Sequence, residues 1–131
     1  MIEDPLAGLT IGRRDGTFLV AEWADEGETS RERPIAPLHL HRNEDEAWYV
    51  LEGRLGFRVG DDEVEAGPGG CVVAPPGAPH TYWSGHGGRT RYLLVMGPLT
   101  ARLIEAIHEM DPFDPARLPW LFEAHDSELL G

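Results

Sequence analysis

Residues 37–46 read PLHLHRNEDE and contain three of the four side chains on which the interpretation of this chain depends. In a β-strand, residues two apart point to the same face, so His39 and His41 would both point inward while Leu38 and Leu40 point outward. The polar run of residues 42–45 suits a bulge or a short turn before a new strand begins at Glu46. We therefore expect His39, His41 and Glu46 to converge inside a β structure.

A fourth candidate ligand, His80, would come from a third segment. Imidazole nitrogens combined with a carboxylate suit borderline first-row metals, so we expect one divalent ion at His39, His41, Glu46 and His80: Fe, Mn, Ni, Co, Cu or Zn. Burying four ionisable groups without a metal or a dense hydrogen-bond network would be costly, which favours an occupied site. An octahedral ion held by four ligands would keep two positions for water, a substrate or dioxygen.

The same residues resemble the two sequence motifs of the cupin family. The first motif is carried by residues 37–41, Glu46 and Gly53, and the second by Gly69 and residues 75–80, which read PPGAPH. Cupins often have an asparagine four residues after the second-motif histidine, where this chain has Ser84, a departure that affects no ligand. The resemblance implies an all-β fold, a single cupin (double-stranded β-helix, or jelly-roll) barrel with metal ligands at the four positions above.

Two acidic neighbours, Glu44 and Asp45, are rivals for the carboxylate position. Both lie where the chain turns, and the family spacing selects Glu46, so we expect the two to be solvated. His86, His108 and His125 each lack a second ligand at a useful interval and are expected to have surface or capping roles. The alternative within the family is a metal-free cupin whose four polar groups bond to one another.

Glycine and proline separate short extended runs at regular intervals, as in an all-β barrel. We expect one domain over residues 1–131, with a barrel core at about 15–96 and a C-terminal helix and tail at 98–131. Strands are predicted at 16–23, 46–51, 54–59, 63–66, 71–74 and 90–96, in addition to the segments that carry the histidines. Gly60-Asp61-Asp62 is predicted to form a hairpin turn.

The C-terminal part changes character. Leu99, Leu103, Ile104, Ile107 and Met110 have helical spacing, and the prolines at 112 and 115 should end that helix. The apolar cluster of residues 119–122 (PWLF) then has two interpretations. It packs on the outside of the barrel or on a partner subunit, or it forms a lid that crosses the barrel mouth and excludes water from the metal.

Composition restricts the partners. A net charge of −12, from 23 acidic and 11 basic side chains, opposes binding to nucleic acid or to an anionic membrane. Residues 1–5 lack the features of a signal peptide and no stretch is long enough to span a membrane, so a cytoplasmic location is expected. The single cysteine, Cys71, lies in an apolar run and is expected to be buried and inert. The family resemblance implies a homodimer.

Among the side chains that share the inward face, Trp48 and Val50 follow Glu46, and Tyr82 follows His80. Tyr82 is the candidate catalytic residue, because its hydroxyl would lie near the metal and could orient a bound oxygen or donate a proton. Arg54 and Arg58 fall on the opposite parity and are expected outside the barrel.

The site supports several functions. The similarity to small single-domain proteins akin to quercetin dioxygenase implies a dioxygenase-like oxidoreductase acting on a small oxygen-rich substrate, such as an enediol or a catechol-like oxygen pair. A redox-silent metal would instead support an isomerase or hydratase, and a small-ligand-binding module without turnover is the third possibility. No residue names the substrate, and no further cofactor-binding residues are predicted.

Overall fold

The computed structural model describes residues 10–13, 15–84 and 87–131, so His86 lies outside the described residues. These residues form ten strands and two helices: β1 Thr10–Gly12, β2 Leu19–Asp25, β3 Ala36–His41, β4 Glu46–Glu52, β5 Leu55–Val59, β6 Asp62–Ala66, β7 Cys71–Ala74, β8 His80–Ser84, β9 Thr90–Met96, α1 Pro98–His108, α2 Leu118–Ala124 and β10 Ser127–Leu129. A short 3₁₀ turn, Pro115–Arg117, precedes α2. The predicted strands and the C-terminal helix are confirmed.

The strands form two five-stranded antiparallel sheets, with the orders β1-β2-β9-β4-β7 and β10-β3-β8-β5-β6. The inner faces of the sheets meet in an apolar core in which Trp48, Val50, Leu55 and Phe57 are completely buried. Trp48 from the first sheet contacts Phe57 from the second, with ring centroids 5.2 Å apart. The hairpin turn between β5 and β6 lies at the predicted place, with Gly60 at a positive φ of 60°.

Helix α1 follows β9 directly and is fixed at its N-terminus by Glu44. The carboxylate of Glu44 accepts hydrogen bonds from Leu99 N (3.0 Å), Thr100 N (2.8 Å) and the Thr100 hydroxyl (2.7 Å). These bonds pair backbone donors that a helix leaves free in its first turn. A Cβ atom at Gly97 would collide with the Glu44 carboxylate and would displace it from this position. The expectation that Glu44 is solvated is therefore wrong; Asp45 is exposed as expected.

The C-terminal tail folds back onto the barrel. Leu121 and Phe122 of α2 are buried against Leu103 of α1, whereas Trp120 is 65% exposed. After α2 the chain adds β10 to the edge of the second sheet, where Ser127 pairs with His41. Packing on the barrel therefore describes most of this segment. Phe122 alone also reaches the site described below.

One prediction about the core is wrong. Cys71 is exposed, as is Val73 on the same strand, while Ala74 is buried. A continuous apolar run is typical of a strand that is covered on both faces, but β7 lies at the edge of its sheet and is covered on its inner face only. Arg54 and Arg58 are exposed, as their parity predicted. In the described part of the chain, no helix combines the length and apolarity needed to cross a membrane.

Candidate metal centre

The four predicted ligands lie at one end of the barrel, between the two sheets. In the second sheet, His39 on β3 is directly opposite His80 on β8. His41 follows on the same face of β3, and Glu46 begins β4 in the facing sheet. All four side chains are buried, and one donor atom from each lies within 4.8 Å of the others. The four residues selected by strand alternation and motif spacing therefore lie together, as expected.

Each histidine is held by a hydrogen bond from Nδ1. The acceptors are the carbonyl oxygens of Pro37 for His39 (2.5 Å) and of Ala78 for His80 (2.9 Å), and the hydroxyl of Ser127 for His41 (2.7 Å). The Ser127 hydroxyl donates in turn to His125 O (3.2 Å), so its oxygen is free to accept from His41. Acceptors of this kind place the proton on Nδ1 and leave the Nε2 lone pairs for the centre of the cluster.

The centre of the cluster is suited to a positive charge. Oε1 of Glu46 lies 2.8 Å from His80 Nε2 and 3.2 Å from His41 Nε2. If Nδ1 carries the only proton of each ring, these contacts bring lone pairs together, and only a cation between them makes the arrangement favourable. That cation is either an extra proton on an imidazole or a metal ion. Three nitrogens and one carboxylate oxygen at this spacing fit a divalent transition metal.

Electrostatics within the cluster agree with this geometry. Burial by itself would raise the pKa of Glu46, but hydrogen bonds from His41 and His80, which require the extra proton on Nε2 when no metal is bound, outweigh it and lower that pKa to about 2. Burial, reinforced by the neighbouring His80, lowers the pKa of His39 to about 4. At neutral pH the cluster therefore presents an ionised carboxylate and a neutral His39, the forms in which these residues bind metals.

The family model for the cupin domain matches residues 31–96, the segment that contains all four ligands and most of both sheets. The chain belongs to the cupin family.

Several solved structures share this fold. The TT1209 protein of Thermus thermophilus is 30% identical to this cupin, with a TM-score of 0.53, over 63% of this chain and 73% of that one. KdgF from Halomonas sp. is 16% identical, with a TM-score of 0.57, over 69% and 76%. A sugar phosphate isomerase from Silicibacter pomeroyi is 24% identical, with a TM-score of 0.54, over 63% and 51%. No curated protein matches the chain.

A cavity of about 230 Å³ lies beside the ligands, between β2, β3 and α1. His39, His41 and Glu46 line one end of it, and Phe122 reaches it from the tail, with its ring 5.3 Å from that of His39. Its walls are mainly apolar. The site of this cupin is thus open on one side to a space that is lined by α1 and by Phe122 of α2.

Tyr82, the predicted catalytic residue, lines this cavity, and its hydroxyl is 2.9 Å from that of Tyr92. Burial is the main cause that raises the pKa of both phenols above the ordinary value, and the negative charge of Glu46 adds to it. Both tyrosines therefore keep their protons at neutral pH. Tyr92 lies opposite Trp23 on the neighbouring strand. Its role as the partner of the Tyr82 hydroxyl could not be predicted from the spacing of the sequence motifs.

Two further residues that support the site were missed by the sequence analysis. Ser127 holds His41, and Glu44 anchors the helix that covers the cavity. A serine in the tail has no spacing relationship to the motifs, so its role follows only from the pairing of β10 with β3. Glu44 carried a weak signal, since an acidic residue can pair with the first turn of a helix, but the helix begins far away in sequence.

Proposed function

We propose that this cupin binds one divalent transition metal through His39, His41, Glu46 and His80 and acts as a metal-dependent oxygenase on a small, oxygen-rich organic substrate. The observation that carries the proposal is the convergence of four buried donor groups, three of which line one end of a mainly apolar, partly open cavity. A bound metal would supply Lewis-acid activation of a substrate oxygen and, if redox-active, electrons for dioxygen chemistry. An apolar, water-poor cavity suits dioxygen and protects reactive species from side reactions.

The residues of the chain have separate tasks in this proposal. Tyr82 is the proposed catalytic residue, because its hydroxyl lines the cavity and, with Tyr92 as its partner, can orient a substrate oxygen or donate a proton to it. Helix α1 and Phe122 exclude water from the same space.

Two other functions remain as alternatives. A redox-silent metal in the same ligand set would support an isomerase or hydratase, and sugar phosphate isomerases are among the proteins that share the fold. At 24% identity, however, the likeness concerns the fold and not the activity. A binding module without turnover would need only the cavity and would tolerate zinc.

The proposal is tested by elemental analysis of protein purified without chelator or a nickel column, followed by oxygen-uptake measurements with enediol and catechol substrates. Near-stoichiometric Fe, Mn, Ni, Co or Cu, together with substrate-dependent uptake, is the expected result. Zinc with no uptake would favour a non-redox enzyme or a binding module. An apoprotein that takes up none of these ions would reject the metal site itself.

The proposal includes a homodimer and a cytoplasmic location. Exposed apolar side chains lie on the outer face of the first sheet. Ile11 and Val73 belong to one row across the strands, and Tyr49 belongs to the next row. A second copy of the chain would cover them. Sedimentation of the wild type and of Val73→Glu tests this: a dimer that the substitution dissociates is expected, and a monomeric wild type would reject it. The proposed cytoplasmic location is supported by Cys71, because an exposed free thiol suits a reducing compartment.

A further inference from the structure

The cavity beside the ligand cluster combines two different walls. One wall is apolar and is formed largely by Leu103, Ile104 and Ile107 of α1 together with Leu94 and Ile35. The other carries the Tyr82 and Tyr92 hydroxyls and the carboxylate of Asp25, which ends β2. A ligand that fills this space therefore meets hydrocarbon on one side and hydrogen-bonding groups on the other.

The charges around the cavity are negative or absent. The chain contains no lysine, and none of the arginines that the structure describes lines the cavity. Arg91, although adjacent to Tyr92 in sequence, points to the outer face and pairs with Glu22 (3.0 Å) and Glu52 (3.2 Å). Apart from the histidine ligands, the one group among the described lining residues that can become cationic is His108, which is exposed at the mouth.

Asp25 is positioned by its own loop and has acceptor capacity to spare. Oδ2 accepts hydrogen bonds from Gly27 N (2.9 Å) and the Thr29 hydroxyl (3.1 Å), whereas Oδ1 has no donor among the described residues. The buried Nε1 of Trp23, which also lines the cavity, has no acceptor in the described part of the chain. Buried polar atoms are rarely left without a partner, so a ligand hydroxyl group that accepts from Trp23 Nε1 would supply what that atom lacks, and Oδ1 of the half-buried Asp25 offers an acceptor on the same wall.

The volume of the cavity matches a ligand of one ring. A cavity of ~150 Å³ lined by aliphatic and aromatic side chains encloses benzene. The present cavity, at about 230 Å³, has room for a benzene-sized ring with two or three small substituents. A flavonol, which has three rings, exceeds it.

We propose that this cavity selects a neutral, monocyclic hydroxylated compound of the substituted phenol or catechol class. Asp25 disfavours ligands that place a carboxylate or phosphate group in the cavity, away from the oxygen that binds the metal. The inference rests on the proposed function only in that a ligand enters the cavity next to the metal. It separates this cupin from proteins that act on phosphorylated sugars, because a phosphate that lies in the cavity away from the metal would lack a cationic partner and would face Asp25.

Binding is tested without turnover, by calorimetric titration of zinc-loaded protein, or of the metal-free protein if zinc is not retained. The matched probes are 4-methylcatechol and protocatechuate, which has a carboxylate in place of the methyl group. Ribose 5-phosphate tests the effect of a phosphate charge, and quercetin tests the effect of ligand size. We expect 4-methylcatechol to bind at least about tenfold more tightly than protocatechuate. Neither ribose 5-phosphate nor quercetin should bind measurably.

Variants identify the residues responsible. Asp25→Asn keeps an oxygen for the loop bonds and removes the charge, so the preference for the neutral probe should fall toward one. Glu22→Gln, which removes a charge from the outer face of the same strand, should leave the preference unchanged. Ile107→Trp, checked for folding by circular dichroism, should fill the cavity and weaken 4-methylcatechol binding at least about tenfold.

Equal or tighter binding of protocatechuate or ribose 5-phosphate, an unchanged preference in Asp25→Asn, or no binding of any monocyclic probe would overturn the inference. Selective binding of 4-methylcatechol without oxygen uptake would support the inference and reject the oxygenase proposal. Oxygen uptake that prefers anionic substrates would support the oxygenase proposal and reject the inference about ligand selection.

Discussion

Nδ1 of His41 donates a 2.7 Å hydrogen bond to the hydroxyl of Ser127, 86 residues further along the chain. Ser127 is completely buried, and its hydroxyl donates a hydrogen bond to the carbonyl oxygen of His125. A proposed metal ligand of the barrel is therefore oriented by a strand from the C-terminal tail. Partners of this type fix the ring orientation and the tautomer of a ligand, and losing one typically costs 10–100-fold in metal affinity.

We expect Ser127→Ala to bind zinc or cobalt about 10–100-fold more weakly than the wild type while keeping the fold. Competition with a chromophoric chelator measures the affinity. Ser84→Ala is the matched control, because Ser84 is also buried but lies on β8 four residues beyond His80. An unchanged affinity in Ser127→Ala, or an equal loss in Ser84→Ala, would show that the hydroxyl does not position His41.

Removing a ligand should separate metal binding from folding. Glu46→Gln and His80→Ala are expected to lose the metal during purification, because each leaves three donors around the centre. The barrel should still form, as its apolar core is made by other residues. Elemental analysis and far-ultraviolet circular dichroism provide the two readouts, with Glu65→Gln at an exposed position as the control. Full metal content in either ligand variant would contradict the site assignment.

The anchor of α1 gives a prediction about stability. Glu44→Ala removes the acceptor for three hydrogen bonds at the helix N-terminus and should lower the free energy of unfolding by about 1–2 kcal/mol. Urea denaturation checks it, and Asp45→Ala, the exposed neighbour, should change stability by less than about 0.5 kcal/mol. Equal effects of the two substitutions would mean that Glu44 does not hold the helix.

The tyrosine pair predicts a loss of stability in alkali. Burial is the main cause that raises the pKa of Tyr92 above its ordinary value of about 10, so the folded state holds this proton more tightly than the unfolded chain does. The resulting contribution to stability is complete below pH ~10 and is lost as the pH rises above that value.

Tyr92→Phe removes one of the two buried phenols and should therefore reduce the slope of stability against pH above about pH 10. At pH 7 it should cost about 1 kcal/mol, because the Tyr82 hydroxyl loses its partner. Urea unfolding of the chelator-treated protein between pH 7 and about pH 11 measures both effects. Tyr49→Phe, at a position that is 42% exposed, is the control and should keep the wild-type slope. A slope that Tyr92→Phe leaves intact would refute the prediction.

The part of the site that could be read from the sequence is the part encoded by local periodicity. His39 and His41 share a face because they are two residues apart on one strand, and the family spacing then identifies Glu46 and His80. Tyr82 was found by the same parity. These inferences depend only on strand geometry and on motifs that lie within residues 37–80.

The residues that were missed depend on long-range pairing. Ser127 reaches His41 only because β10 joins the sheet edge in one particular register, and three residues of strand carry too little pattern to predict it. Glu44 meets α1 because β4 and β9 are neighbours, which brings residue 44 beside residue 97. Cys71 was placed inside because an apolar run does not reveal whether its strand lies at a sheet edge.

The link between His41 and Ser127 also orders the events of biosynthesis. A ribosome completes His39, His41 and Glu46 early, then synthesises the rest of β4, five more strands and two helices before residue 127 is added. Until that point His41 lacks its outer partner, and metal ions that meet the nascent chain encounter a ligand set with one unrestrained ring. The full affinity of the proposed metal centre, and with it the discrimination among competing metals in the cell, is therefore expected to develop only after the barrel has been made.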